Sequence, residues 1–284
     1  MPELVVHILQ CRQFCSTYRA AGCPEINQYK LNNKSINLIN EDFKTNKAFQ
    51  KMNLHSSKYI NNCFEIAIKL IKSGFSNKLI NGPISKKKFL NRKFLGMTEY
   101  FANKFKKKNV AMIIYNKSLS VCPVTTHLPL KAVTKKINKK TITHKVNLIN
   151  NFYKKSFGFK PKIAVTGLNP HCESIDVFNE DSKILIPTIK YLKKSGAKIF
   201  GPFPADTIFL KNNRKNFDVV LGMYHDQVLA PIKTLFEYDA INITLGLPFI
   251  RISPDHGPNE NMLGKNKSNP LSLIKAIKFL DKTK

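Results

Sequence analysis

The sequence predicts an α/β fold with a largely parallel sheet. Two apolar runs, Val219–Gly222 and Ile241–Leu245, have the length and setting of buried strands. Strand-like and helix-like segments alternate at a spacing of roughly 20–30 residues, the pattern of strands crossed by helices. Polar residues follow the two runs directly: His225, Asp226 and Gln227 after the first, Arg251, Asp255 and His256 after the second. In an open parallel sheet, ligands bind outside the carboxyl ends of strands. A histidine, two carboxylates and the cations Lys233 and Arg251 near such ends predict a site for a small anionic molecule.

Taken in order, residues 1–50 carry weak signals. Val5–Leu9 and Ile36–Ile39 are strand candidates, with the polar, turn-like Cys23–Asn33 between them. Ser56–Ser73 predicts an amphipathic core helix: Ile60, Phe64, Ala67, Ile68 and Ile71 form its apolar stripe, Ser56 or Ser57 its cap, and Gly74 its end. Lys78–Pro83 is a short strand ending in Gly-Pro. Ala111–Tyr115 and Leu119–Val124 are successive strands joined at an Asn-Lys turn. Thr143–Phe157 is a helix with Val146, Ile149, Phe152 and Tyr153 near one face and Gly158 at its end. Lys162–Gly167 is a strand. Asp181–Ser195 is a helix with Ile184, Leu185, Ile189 and Leu192 inward, in which Pro187 implies a kink or a later start. Ala197–Phe200 is the next strand, and Pro270–Asp281 is a closing helix.

Composition narrows the function classes. With 284 residues the chain can bury a sizeable core in one large domain or two lobes. No run approaches the ~20 apolar residues of a membrane helix, and the opening MPELVVHILQCRQFC lacks the basic region of a secretory signal. The net charge of +29 suggests nucleic acid at first sight. The lysines are instead spread along the chain among many Asn and Ile, with no zinc-finger, helix-turn-helix or RNA-binding aromatic pattern, so no specific nucleic-acid partner is expected. Such a field does attract phosphorylated substrates and dinucleotides. Cys11, Cys15 and Cys23 lack a matching second knuckle for zinc, and Cys63, Cys122 and Cys172 are scattered. Free thiols in a reducing cytoplasm are the expectation. Neither a GxGxxG nor a GxxxxGK[ST] motif is present.

Several stretches carry a resemblance. YHDQVLAPIK (224–233), NITLGLPFIR (242–251) and PDHG (254–257) resemble the C-terminal signature of the 4-hydroxythreonine-4-phosphate dehydrogenase family of pyridoxal phosphate biosynthesis. The likeness extends back to about Ile80 through GMTEY (96–100), TTHLPL (125–130), GLNPH (167–171) and GPFPADT (201–207). The family has His where Met97 stands, and a Gly- and Glu-rich loop where CESIDVFNED (172–181) stands. Nothing in residues 1–50 matches the family's opening GDPAGIGPE. Either ELVVHILQ corresponds to the family's second strand and the chain is short at its N-terminus, or the first 40 or so residues are divergent.

The resemblance implies two interleaved α/β/α lobes over residues 1–284, of the isocitrate and isopropylmalate dehydrogenase type. It implies NAD or NADP as cofactor and one divalent metal (Zn, Mg or Co) held by His127, His171 and His225. Thr98, Lys233, Asn242 and Arg251 fall on substrate-contact positions. Asp206 and Asp226, in PADT and YHDQ, are acid/base or ligand-orienting candidates. The implied reaction is oxidation of 4-phosphooxy-L-threonine to 2-amino-3-oxo-4-phosphooxybutanoate, which decarboxylates to 3-amino-2-oxopropyl phosphate. The implied assembly is a cytoplasmic homodimer whose site takes ligands from both subunits.

Without the resemblance each residue has a plainer explanation. Strand-end histidines seldom ligate metals, Lys233 and Arg251 are cations in a very basic chain, and a strand-end Asp often only caps a helix or forms a turn. His256 is expected to be structural or to lie on the cofactor side. Met97 and the altered loop favour, as an alternative, a relative acting on another phosphorylated hydroxy acid, such as a four-carbon sugar-acid 4-phosphate. The unmatched N-terminus favours a non-catalytic basic homologue.

Overall fold

The computed structural model describes residues 6–8, Ile39, Glu41, Phe43, 53–85, 89–90, 93–173, 178–262 and 264–283. The turn at 23–33, the lysine triplet at 86–88 and all of the strand candidate Ile36–Ile39 except Ile39 lie outside the described residues, and Ile39 itself is not in a strand. Among the described residues nine strands form a single sheet: β1 (Val6–Ile8), β2 (Lys78–Asn81), β3 (Ala111–Tyr115), β4 (Ser120–Pro123), β5 (Ile163–Thr166), β6 (Ile199–Phe203), β7 (Val219–Gly222), β8 (Ile241–Leu245) and β9 (Ile250–Pro254). Their spatial order is β1-β2-β9-β8-β3-β4-β7-β5-β6. The pairs β1–β2, β2–β9, β4–β7, β7–β5 and β5–β6 are parallel, whereas β9–β8, β8–β3 and β3–β4 are antiparallel. The expected largely parallel α/β architecture is therefore what the chain adopts. Three antiparallel pairs at its centre set β1, β2, β9 and β3 opposite in direction to β8, β4, β7, β5 and β6.

Helices cover both faces: α1 (Leu54–Lys72), α2 (Met97–Lys104), α3 (Lys139–Phe157), α4 (Ile186–Lys194), α5 (His225–Phe236) and α6 (Leu271–Lys282). Ile113, Ile163, Val165, Val219, Leu221, Ile241, Ile243 and Ile252 point to one face, where they pack with Val146 and Ile149 of α3, Ile189 of α4 and Leu280 of α6. The opposite face carries two separate apolar clusters. One joins Met112, Ile114, Val121 and Val220 to Val228 and Ile232 of α5. The other joins Leu79 and Phe249 to Phe64 of α1 and Phe101 of α2. Because side chains alternate along a strand, Asn242, Thr244, Arg251 and Ser253 lie on that same opposite face, in the gap between the two clusters.

Local chemistry corrects several expected boundaries. The cap of α1 is Asn53, not Ser56 or Ser57. Its side chain accepts from the Ser56 backbone N–H at 2.9 Å, and the Ser56 hydroxyl accepts from the Asn53 N–H, a reciprocal capping box. Helix α3 starts four residues earlier than its apolar stripe suggests, because Asn138 and Thr141 form the same box. Gly158 closes that helix at φ 78°, a left-handed conformation that glycine adopts without penalty. Pro187 marks a late start, as one of the two readings held: a π-helical stretch, Asp181–Leu185, precedes α4. Strand β9 was hidden inside a motif, since Arg251 and Ser253 interrupt its apolar run. The described thiols Cys63, Cys122 and Cys172 are free. No helix among the described residues is long and apolar enough to cross a membrane.

Candidate active site

The β8–β9 hairpin builds the floor. Its register sets Asn242 opposite Ser253 and Thr244 opposite Arg251, so Asn242 and Arg251 are diagonal neighbours on one face. The turn between the two strands thus brings these two residues together. Arg251 is 2% exposed, a guanidinium inside the protein. Its Nε donates to Asn81 Oδ1 at 2.7 Å and its Nη1 to Thr244 Oγ1 at 3.1 Å, and the plane lies 5.4 Å from the centre of the Phe101 ring. Thr98, also buried, lies 3.3 Å from the same Thr244 hydroxyl. Arg251 has no carboxylate ion-pair partner among the described residues. Burial pushes its pKa down to about 9, and the nearby Glu99 opposes that shift. The buried Asn242 Oδ1 has no hydrogen-bond partner among the described residues. A buried cation without a direct ion pair among the described residues, beside an unsatisfied acceptor, is costly and suits an anionic, hydrogen-bonding ligand.

Lys233, in the last turn of α5, stands on the neighbouring wall. It forms an ion pair with Asp255 at 2.6 Å and donates to the Asp255 carbonyl as well. Burial raises the Asp255 pKa, while Lys233, His256 and His225 act in the opposite sense. Lys233 is thus held in place by the carboxylate that follows β9. His256 hydrogen-bonds the Gly257 carbonyl at 2.8 Å and meets the Tyr238 ring, which suits the structural role considered for it.

The histidines follow the ends of adjacent parallel strands: His127 after β4, His225 after β7 and His171 after β5. The exits of β4 and β7 are tied together. Val124 N–H donates to the Gly222 carbonyl at 2.7 Å, and the Thr125 hydroxyl donates to the Met223 carbonyl at 2.8 Å. Two residues beyond the second tie, the His127 and His225 rings face one another with centroids 5.5 Å apart. Two imidazoles on one ion, with nitrogens about 2.1 Å from it, have ring centres roughly 5–6 Å apart, so this pair fits a shared cation. His225 Nδ1 lies 2.6 Å from Asp226 Oδ1, which fixes the ring and leaves Nε2 for a ligand. His127 lies against Gly96: a Cβ there would come within 2.8 Å of its Cε1 and 2.9 Å of Glu99 Oε2. Glu99 Oε1 accepts from the Thr126 hydroxyl at 3.2 Å.

His171 is exposed and left-handed (φ 56°), in a single turn of 3-10 helix, Pro170–Cys172. Among the described residues no group of three His, Cys, Asp or Glu side chains could hold a metal ion. One chain therefore pairs His127 with His225 and does not by itself gather His171 to them. Asp206 is exposed in the short helix Ala205–Ile208 after β6, within electrostatic reach of Cys172 beside His171. Met97, where a histidine was expected, is buried in the cluster of Phe64, Tyr100 and Phe101. Sequence reasoning missed Asn81, Glu99 and Thr244 as site residues. Thr244 was discoverable from the polar alternation of INITL, whereas Asn81 and Glu99 come from distant segments.

A family model described as pyridoxal phosphate biosynthetic protein PdxA matches residues 7–280. The 4-hydroxythreonine-4-phosphate dehydrogenase of Sulfurihydrogenibium sp. is 41% identical over 248 residues, covering 86% of this chain and 75% of that protein. The enzyme of the same name from Bradyrhizobium diazoefficiens is 38% identical over 221 residues, covering 75% of this chain and 64% of that protein. The crystal structure of 4-hydroxythreonine-4-phosphate dehydrogenase from Klebsiella pneumoniae superposes with a TM-score of 0.69 at 29% identity, covering 81% of this chain and 72% of that one.

Proposed function

The chain belongs to the PdxA family of pyridoxal phosphate biosynthetic proteins, and from that premise we propose that it oxidises 4-phosphooxy-L-threonine, with NAD or NADP as hydride acceptor and one divalent metal. The observation that carries this reading is the buried Arg251, without an ion pair among the described residues, beside Asn242 on the sheet face that α5 flanks with His225 and Lys233. Arg251 and Lys233 hold the anionic ends of the substrate. Arg251 does so through guanidinium N–H groups beyond the two committed to Asn81 and Thr244, Lys233 as a point charge. Asn242 Oδ1 accepts a hydrogen bond from the substrate, and Thr98 adds its hydroxyl at the same wall.

His127, His171 and His225 would hold the metal, with Asp226 orienting His225. The imidazole donor set and the spacing of the first pair support this assignment. A homodimer with a shared site supplies the arrangement that one chain leaves open. When bound, a divalent metal would supply Lewis-acid chemistry that lowers a hydroxyl pKa, and a nicotinamide would supply the hydride acceptor. The substrate's secondary alcohol loses a hydride and a proton to become a ketone. Asp206 is the acid/base candidate for that proton. The resulting β-keto acid loses carbon dioxide to give 3-amino-2-oxopropyl phosphate.

Met97 supports a second reading, in which the substrate is another phosphorylated hydroxy acid such as a four-carbon sugar-acid 4-phosphate. Its thioether donates no hydrogen bond, unlike the imidazole that the family places there. Steady-state turnover of both compounds with both dinucleotides separates the readings. A higher kcat/KM for 4-phosphooxy-L-threonine supports the first. Turnover confined to the sugar-acid phosphate replaces it with the second.

A further inference from the structure

The His171 turn places two consecutive non-glycine residues in the left-handed region, His171 at φ 56° and Cys172 at φ 64°. Such backbone persists only where its surroundings over-determine it. Two buried side chains do so here. Asp181, fully buried in the π-helical stretch before α4, accepts the Leu168 N–H at 2.7 Å, the Asn169 N–H at 3.0 Å and the Asn169 side-chain amide at 2.9 Å. Gln227, buried in the first turn of α5, accepts the Thr166 hydroxyl and the Met223 N–H, each at 2.7 Å, and donates to the Gly167 carbonyl at 2.7 Å.

These bonds form one connected bracket. Gln227 ties the exit of β7, two residues before His225, to the exit of β5 at Thr166 and Gly167. Asp181 grips the next two residues, Leu168 and Asn169, and His171 follows. Both exits are crowded as well. A Cβ on Gly222 would meet Val228 Cγ1 at 2.3 Å, and one on Gly167 would meet Asp181 Oδ1 at 2.9 Å. Little room remains for either turn to move independently.

We infer that Gln227 and Asp181 are positioning residues that hold the His171 turn and the His225 turn in fixed places on the sheet, so that each imidazole is pre-placed for metal binding in a site shared between subunits. The inference rests on the metal role proposed above for these histidines. Hydrogen-bond partners that orient a metal ligand directly typically contribute about 10–100-fold in affinity; Gln227 and Asp181 act instead on the backbone that carries the two histidines.

The test is Co2+ titration of the full-length protein by calorimetry and visible absorption, with unfolding midpoints measured in parallel. Gln227→Met keeps the shape and removes all three bonds. Asp181→Asn keeps one acceptor and turns the other oxygen into a donor facing the Asn169 amides. Each variant is expected to weaken Co2+ binding about 10-fold, the lower end of that range, under conditions where it is fully folded, with an altered visible spectrum. Wild-type affinity and spectrum in a folded variant overturn the inference. Failure of both variants to fold overturns it equally, since the pair would then be general determinants of the fold. His171→Ala and His225→Ala serve as the separate control: if the wild type binds no Co2+, or these variants bind it unchanged, the metal reading itself fails.

Discussion

His127 and His225 face each other across the exits of two adjacent parallel strands, with ring centroids 5.5 Å apart. The pairing is not a local accident, because the backbone between Val124 and Gly222 and the Thr125 hydroxyl on Met223 hold the two exits together. Replacing either ring by Ala should weaken divalent-metal binding by more than the roughly 10–100-fold that loss of an orienting partner costs. Calorimetric titration with Zn2+ or Co2+ checks this, and unchanged affinity in both variants would remove the pair from the metal site.

Asp226 offers a cleaner separation of site from fold. Its side chain is 84% exposed, yet it lies 2.6 Å from His225 Nδ1. Asp226→Asn should leave stability within about 0.5 kcal/mol, as for most surface changes. It should nonetheless lower metal affinity about tenfold or more, by weakening the contact that orients the imidazole. Thermal unfolding and metal titration on the same sample measure both quantities.

Gly96 is needed for its lack of a side chain, since its backbone is extended (φ −164°) and any residue could adopt it. Gly96→Ala would drive a methyl into His127 and Glu99. Overpacking of this kind costs about 1–3 kcal/mol. The displaced ring should lose metal affinity along with that stability, and a variant that keeps wild-type affinity would show that His127 tolerates the shift.

The Arg251 guanidinium supplies a pH dependence whose sign is fixed. Burial lowers its pKa to about 9, well below the ordinary guanidinium range. Above about pH 9 the folded chain binds fewer protons than the unfolded one. The cost of burying the charge is therefore full below about pH 9 and lifts as pH rises above it. Anion affinity runs the other way, because only the charged form attracts a phosphate. In a Lys233→Met background, which removes the other cation of the site, inorganic phosphate binding should fall as pH passes through about 9. A flat profile across that window would take Arg251 out of anion binding.

Thr244 joins Thr98 to Arg251 through one hydroxyl. Thr244→Val leaves an Arg251 donor unsatisfied in the interior, at a cost of about 1–3 kcal/mol. KM for the phosphorylated substrate should rise more than kcat falls, because the change loosens a binding group and leaves the histidines in place. Steady-state kinetics give both terms.

The strands were legible because period-2 alternation and short apolar runs are local properties. INITL and the segment IRISP each display isoleucines to one core and polar residues to the other face. The second was passed over because Arg251 and Ser253 break its apolarity, and those are the residues that matter. Strand-end position pointed to a site near His225, Lys233 and Arg251, but the assignment of individual candidate residues came from motif likeness. His127, His171, His225, Lys233 and Arg251 have nothing in their local periodicity that separates them from ordinary turn or surface residues. Asn81, Glu99, Gln227 and Asp181 were illegible because their partners are distant in sequence. Gln227 reaches Gly167 and Thr166, and Asn81 reaches Arg251. The cap of α1 was misplaced because Asn53, Ser56 and Ser57 are all capping types, and only the geometry shows which one accepts the N–H.

The most direct measurement is NAD(P)H formation from 4-phosphooxy-L-threonine by the purified chain, before and after chelation and on return of a divalent metal. Turnover that vanishes with chelator, returns with metal and is lost in His171→Ala is the expected result. A folded protein that turns the substrate over equally well after complete chelation, or that never turns it over with any metal or either dinucleotide, would contradict it.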